Sequence, residues 1–223
     1  MTDKFVFSKL DYSAIEKSTQ EIIAAISNDH SLVEIDGLIA DSLKHYYLFK
    51  EYSDVQLIKA FKSVGGNPYS LLFFLLRNIY PEHHLYYPNA VVERGAPMER
   101  QILYSIDDLS IYGMIKLKND YGNVLIHPET LEDKIHELIE HKEIKFPDYP
   151  HFNSKYYVVA LDTEKFCSVI SEDLINLIDS VPHAFVEIHN DLLLIGLKKN
   201  VDIDNALVLV DFLDAVAAKS NII

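Results

Sequence analysis

The run His136-Glu137-Leu138-Ile139-Glu140-His141 contains the residue types of a zinc peptidase helix. Those enzymes need two histidines four residues apart, so that both imidazoles reach one ion from the same helix face. Here the histidines are five apart, which turns them about 140° away from each other on a helix of 3.6 residues per turn. The spacing therefore favours weak surface pairing of His136 with Glu132 or Glu140 over a metal site.

A second candidate for metal binding is Glu82-His83-His84, in a stretch with three prolines and no steady hydrophobic period. Neighbouring histidines on a loop can bind a metal ion when a third ligand folds against them. Adjacent side chains on an extended backbone point to opposite sides, which argues against a shared ion. His83 and His84 are nevertheless the candidate metal ligands of this chain, and no organic cofactor is expected.

Other catalytic signatures are missing from the sequence. It has neither of the glycine-rich patterns, G-x-x-x-x-G-K-[ST] and G-x-G-x-x-G, that bring backbone N–H groups to a phosphate. It also lacks the G-x-S-x-G turn that exposes a nucleophilic serine. The single cysteine, Cys167, lies among Phe166, Val169 and Ile170, so we expect a small buried hydrophobic residue rather than a nucleophile. No residue is assigned a catalytic role.

The charge of the chain is strongly negative and unevenly distributed. Lys and Arg number 20 and Asp and Glu number 34, for a net charge of −14. Residues 1–80 carry 8 basic and 10 acidic side chains, whereas residues 81–223 carry 12 and 24. Such a surface repels phosphate backbones and anionic lipid, so neither a nucleic-acid nor a membrane partner is expected. It can attract a basic protein and accelerate its association.

Four residues are candidates for contact with a protein partner. Tyr86 and Tyr87 lie in the proline-bounded stretch, and tyrosine suits interfaces because it combines a large apolar area with a polar tip. Asp204 and Asp211 lie on the polar side of an amphipathic pattern near the end of the chain, where we expect them to face water.

The location of the protein is inferred from its apolar runs and its single cysteine. The longest strongly apolar run, residues 71–76, has six residues, whereas a membrane span needs about 20. The first residues lack the apolar core of a signal peptide, and one cysteine allows no internal disulfide. We therefore expect a soluble, cytoplasmic protein.

Residues 1–80 are predicted to be a helical region. Ser13 and Glu16 have capping-box spacing before a helix with Ile22 and Ile26 on one face, and Ser31 with Glu34 repeats that spacing. A third helix is predicted from Asp54 to the stop at Gly65-Gly66, and a fourth from Asn67-Pro68 to Tyr80. Residues 81–100 are predicted to be a connecting loop.

Residues 101–223 are predicted to be an α+β domain, so the fold class is a helical N-terminal half followed by an antiparallel or mixed sheet backed by helices. The first two strands are predicted to form a hairpin, and the last two to meet at the tight turn Asn190-Asp191. The predicted strands are residues 111–118, 124–127, 156–161, 185–189 and 192–197, and the predicted helices begin at Pro128 and span about 171–180 and 202–218.

The stretch from about Ile111 to Leu197 resembles an uncharacterised bacterial domain family of unknown function that often follows membrane helices. The similar segments are Val124–Pro128, Pro150–Val158, Leu161-Asp162, Ile170–Leu174 and the final hairpin. The resemblance covers less than half of the chain and implies a bacterial origin. It brings no activity and no catalytic residue, and a helical first half here replaces the membrane helices.

The leading functional hypothesis is a non-catalytic protein–protein interaction module, with a toxin-neutralising acidic protein as its specialised form. One alternative is a metal-assisted hydrolase that uses His83, His84 and carboxylates brought together by the fold. Another alternative is a homo-oligomer that associates through the helical half.

Overall fold

The computed structural model describes residues 12–28, 30, 32–34, 46, 52–63, 70–79, 109–128, 143–197 and 201–219. Its helices are α1 (Tyr12–Ile26), α2 (Pro150–Lys155), α3 (Thr163–Val169), α4 (Glu172–Ser180) and α5 (Ile203–Lys219). Its strands are β1 (Leu32–Glu34), β2 (Tyr52–Ser63), β3 (Leu71–Ile79), β4 (Leu109–Lys116), β5 (Asn123–Pro128), β6 (Tyr156–Ala160), β7 (Ala184–His189) and β8 (Leu192–Leu197). The α+β class and the antiparallel sheet are thus confirmed.

The eight strands in the described parts of the chain belong to one antiparallel sheet, in the order β1-β2-β3-β4-β8-β7-β5-β6. The predicted loop 81–100 lies outside the described residues, but the strands before and after it, β3 and β4, are direct partners. Leu72 stands opposite Gly113 in that pair, and Phe74 stands opposite Ile111. Strands from the first part of the chain therefore extend the sheet of the second part.

The predicted helical first half is not supported, because α1 is the only helix among its described segments. α1 is present, with Ile22 and Ile26 buried as expected. The two segments predicted as the third and fourth helices are instead β2 and β3, and β1 stands where a second helix was expected to begin. A short continuous apolar run such as residues 71–76 is compatible with either a buried helix or a buried strand, because it carries no period that separates them.

The predicted hairpin of β4 with β5 is also wrong. The register pairs β4 with β3 and β8, and β5 with β6 and β7. The β7–β8 hairpin therefore lies between the two strands. The connection from β4 to β5 passes over its turn, where Leu117 N donates to Asp191 O (2.6 Å) and Tyr121 N donates to Asn190 O (2.8 Å). The positive φ of Asn190 (57°) matches the tight turn predicted there.

Several other described elements of the second part lie where the sequence predicted them. Ser171 caps α4 by accepting a hydrogen bond from Leu174 N, and β6, β7 and β8 lie where strands were predicted. Two short helices, α2 and α3, were not predicted. The helix expected from Pro128 onward lies outside the described residues. α5 buries Ala206, Val210 and Leu213, together with Leu209, Phe212 and Val216, whereas Ile203 at its start is exposed.

Alternate side chains along each strand divide the sheet into two faces. The first face forms the main core with α1, α4 and α5, and it includes Ile115, Ile126, Val186 and Ile195. The second face is formed by the side chains between them. It is also largely buried, at residues that include Tyr112, Met114, Leu125, Val159 and Leu194.

Within the described parts of the chain, no helix combines the length and the apolar character that crossing a bilayer requires.

Candidate functional site

The predicted partner-binding residues Asp204 and Asp211 lie on α5 and point to solvent. Asp204 is exposed in the first turn, where its carboxylate favourably meets the positive end of the helix dipole. The side chain of Asp211 is 71% exposed. Seven residues of helix make nearly two full turns, so these two carboxylates lie on the same side of α5, about 10 Å apart along its axis. We refer to Asp204 and Asp211 as the acidic pair.

His30, just beyond α1, anchors one member of the acidic pair. Its Nδ1 lies 2.8 Å from Asp214 Oδ2, and its Nε2 lies 3.5 Å from Asp211 Oδ1. The imidazole thus bridges two carboxylates on neighbouring turns of α5 and joins α1 to that helix. Asp211 remains open to solvent in spite of this contact, since most of its side chain is exposed.

The start of α5 is stabilised by a further aspartate, Asp202. Asp202 Oδ1 accepts a hydrogen bond from Asn205 N (2.7 Å), and Asp202 Oδ2 accepts one from Asn205 Nδ2 (2.9 Å). This arrangement satisfies a free backbone donor of the first helical turn. The Asp202 carboxylate therefore has a structural role, and its charge adds negative potential next to Asp204.

The other predicted site residues lie outside the described residues. These are the aromatic pair Tyr86 and Tyr87 and the candidate metal ligands His83 and His84. In the parts of the chain that the structure describes, no three His, Cys, Asp or Glu side chains group closely enough to hold a metal ion.

Cys167 is exposed on α3, which corrects the expectation that it is buried. The helix buries its neighbour Phe166 instead. Because successive residues of a helix point about 100° apart, only one of the two can face the core. The apolar residues around Cys167 in sequence therefore gave a misleading prediction.

A polar group that the sequence did not reveal lies on the second face of the sheet. Glu187 is only 4% exposed, and the Nε2–H of His189 donates to its Oε1 at 2.6 Å. Residues two apart on a strand share a face, so β7 itself brings the two side chains together. Tyr46 packs edge-on against the imidazole, with ring centroids 4.6 Å apart.

The surroundings of the Tyr46 hydroxyl favour its protonated form and so raise its pKa. Burial, followed by the carboxylates of Glu187 and Asp191, raises the pKa of Tyr46 to about 12. The tyrosine therefore remains neutral at physiological pH. A buried carboxylate is tolerated only when it is paired and hydrogen-bonded, and His189 supplies that pairing for Glu187.

The alternation of residues along β7 is the one signal in the sequence that places Glu187 and His189 on the same face. Along β7 the residues of one face are Ala184, Val186 and Ile188, and those of the other are Phe185, Glu187 and His189. The alternation suggests a solvated second face, as in many antiparallel sheets. The tertiary structure buries Glu187 all the same, and no local pattern predicts that.

Four rings lie across the second face, next to Glu187 and His189. We call them the aromatic row: Tyr112, Phe185, His127 and Tyr157. Tyr112 and Phe185 both stand opposite Gly196, and His127 stands opposite Tyr157. The His127 ring lies 5.2 Å from the Tyr157 ring and 6.4 Å from the Phe185 ring, measured between centroids. The row thus spans five neighbouring strands, from β4 to β6.

Comparison with known proteins adds no relative: no protein-family model, no curated protein and no solved structure matches this chain.

Proposed function

We propose that this protein is a non-catalytic, cytoplasmic interaction module that binds a basic protein through the outward side of α5. The observation that carries the proposal is the acidic pair, two exposed carboxylates on one side of a helix in the more acidic part of the chain. The position of α5 is fixed because the side opposite the acidic pair packs into the main core. The two carboxylates are therefore presented by a packed helix rather than by a loop.

The charge distribution supports a partner of opposite sign. Residues 81–223 carry twice as many acidic as basic side chains, so their field attracts cationic proteins over distances up to about a Debye length, roughly 10 Å at 0.1 M salt. Complementary charge mainly raises the association rate and selects the partner. A specialised form of this function is neutralisation of a basic toxin, such as a nuclease whose cationic substrate groove the acidic surface would cover.

The experiment uses the whole protein, immobilised in three forms that are exposed to lysate of the source cell. The first is the wild type, and the second is Asp204→Asn/Asp211→Asn. The third, Asp148→Asn/Glu164→Gln, is the control: it also removes two negative charges, but from exposed positions outside α5. Retained proteins are identified by mass spectrometry at about 0.1 M and about 0.5 M salt, a range over which screening strengthens considerably.

We expect the wild type and the control variant to retain the same basic protein at low salt and to release it at high salt. The variant of the acidic pair should lose most of it. Equal retention by the acidic-pair variant and the control would contradict the proposal, as would a retained protein that is itself acidic. For the toxin-neutralising form, the retained protein must also lose its nuclease activity at one equivalent of the wild type.

A further inference from the structure

His127 is a buried histidine whose two ring nitrogens have very different surroundings. The side chain is 1% exposed, and Nδ1 lies 2.9 Å from the carbonyl oxygen of Pro128. A carbonyl oxygen can only accept, so Nδ1 must carry the proton. Nε2 then presents a lone pair, and it meets no hydrogen-bond partner among the described residues.

The described groups that act on His127 belong to both neighbouring strands and to Glu143. Tyr157 of β6 and Phe185 of β7 present aromatic rings to it. Glu143 is the carboxylate that acts on it electrostatically. Glu187, on the same face of β7 as Phe185, is already hydrogen-bonded to His189.

The balance of these effects favours a neutral imidazole. Burial lowers the pKa of His127, and it outweighs the opposing effects of the Pro128 carbonyl and of Glu143. A neutral histidine with a fixed tautomer fits an apolar layer of stacked rings. A charged one must bring a second N–H, at Nε2, into a place where none of the described residues accepts a hydrogen bond from it.

We propose that His127 is an acid-sensitive switch that loosens the aromatic row when it takes up a proton. The added charge would lie between the rings of Tyr157 and Phe185, away from water. The most direct relief is separation of β6, which stands at the end of the sheet and pairs with β5 within it. Opening there brings the imidazolium into contact with water and exposes the apolar faces of both rings.

The direction of the pH effect follows from the pKa shift. The pKa of His127 is lower in the folded protein than in the unfolded chain, where it is about 6.5. The unfolded or opened state therefore binds the proton more readily. Stability that is fully present above about pH 6.5 is lost as the pH falls below that value.

The test compares three forms of the whole protein between pH 8 and pH 5 at constant ionic strength. They are the wild type, His127→Gln, which cannot take up the proton, and His151→Gln, which removes an exposed imidazole. Two quantities are measured at each pH: the urea midpoint of unfolding and the fluorescence of a dye that binds exposed apolar surface. In the wild type and in His151→Gln, the urea midpoint of unfolding should fall and the dye fluorescence should rise below about pH 6.5.

His127→Gln should show neither change over that range. An unchanged acid response in His127→Gln would overturn the proposal, and so would a wild type whose two signals stay flat from pH 8 to pH 5. A second measurement covers the case in which His127→Gln does not fold. The ring proton signals of His127 in the wild type, followed by NMR, should titrate below the range of a free histidine and together with the dye signal. Titration near 6.5 without any dye response would refute the switch.

Discussion

Replacing Gly196 with alanine should force the aromatic row apart at its β4 end. A Cβ at this position would lie 2.6 Å from both Cδ1 and Cε1 of Tyr112. Non-bonded carbon atoms are at their optimum at about 3.5–4.0 Å, so the ring must move by about an ångström or the strands must separate. Tyr112 is 3% exposed and has little free space into which to move. Overpacking of this kind costs about 1–3 kcal/mol of unfolding free energy.

The effect can be measured by thermal and urea unfolding. In a chain of this size each kcal/mol moves the melting temperature by roughly 2–4 °C, so Gly196→Ala should melt about 2–12 °C below the wild type. A Tyr112→Ala background removes the ring that causes the conflict. Adding Gly196→Ala to that background should then cost less than about 0.5 kcal/mol, because the two positions are directly coupled.

Gly122→Ala provides the matched control for this cycle. Its φ is +73°, and among the described residues an added Cβ would meet only Lys165 Cδ, at an ordinary 3.8 Å. Its cost, about 1–2 kcal/mol, comes from the left-handed backbone and should be the same with or without the Tyr112 ring. The packing argument is refuted if Gly196→Ala is as stable as the wild type. It is also refuted if its cost persists undiminished in the Tyr112→Ala background.

Three further substitutions test other contacts by urea unfolding at pH 7. Asp162→Ala removes the side-chain cap of α3 and should cost about 1 kcal/mol, most of which Asp162→Asn should restore. Tyr156→Phe deletes the buried hydroxyl that donates to Val181 O at 2.7 Å and should cost about 1–2 kcal/mol; a neutral result would mean that this carbonyl is satisfied without it. His189→Ala removes a donor from the buried carboxylate of Glu187 and should cost about 1–3 kcal/mol. The loss should shrink in a Glu187→Gln background, and an equal loss there would show that the pairing contributes nothing.

Elements of the second part that depend on neighbours along the chain could be predicted before the fold was known. Ser171 identifies the start of α4 because its cap bond reaches only three residues ahead. The hairpin of β7 with β8 follows from a two-residue turn, whose positive φ at Asn190 suits asparagine. The exposure of Asp204 and Asp211 follows from helical periodicity in the same way.

Long-range pairing, by contrast, was decided only by the tertiary structure. β3 carries a continuous apolar run that suits a helix or a strand equally, whereas β2 mixes apolar and polar residues. Pairing within the described sheet selects the strand for both. The segment that connects β4 to β5 has the turn residues of a hairpin. In the sheet, however, the β7–β8 hairpin lies between the two strands. The burial of Glu187 and of His127 likewise depends on what covers the second face. Register and burial are set by the summed contacts of segments far apart in the chain, and no window of neighbouring residues contains that sum.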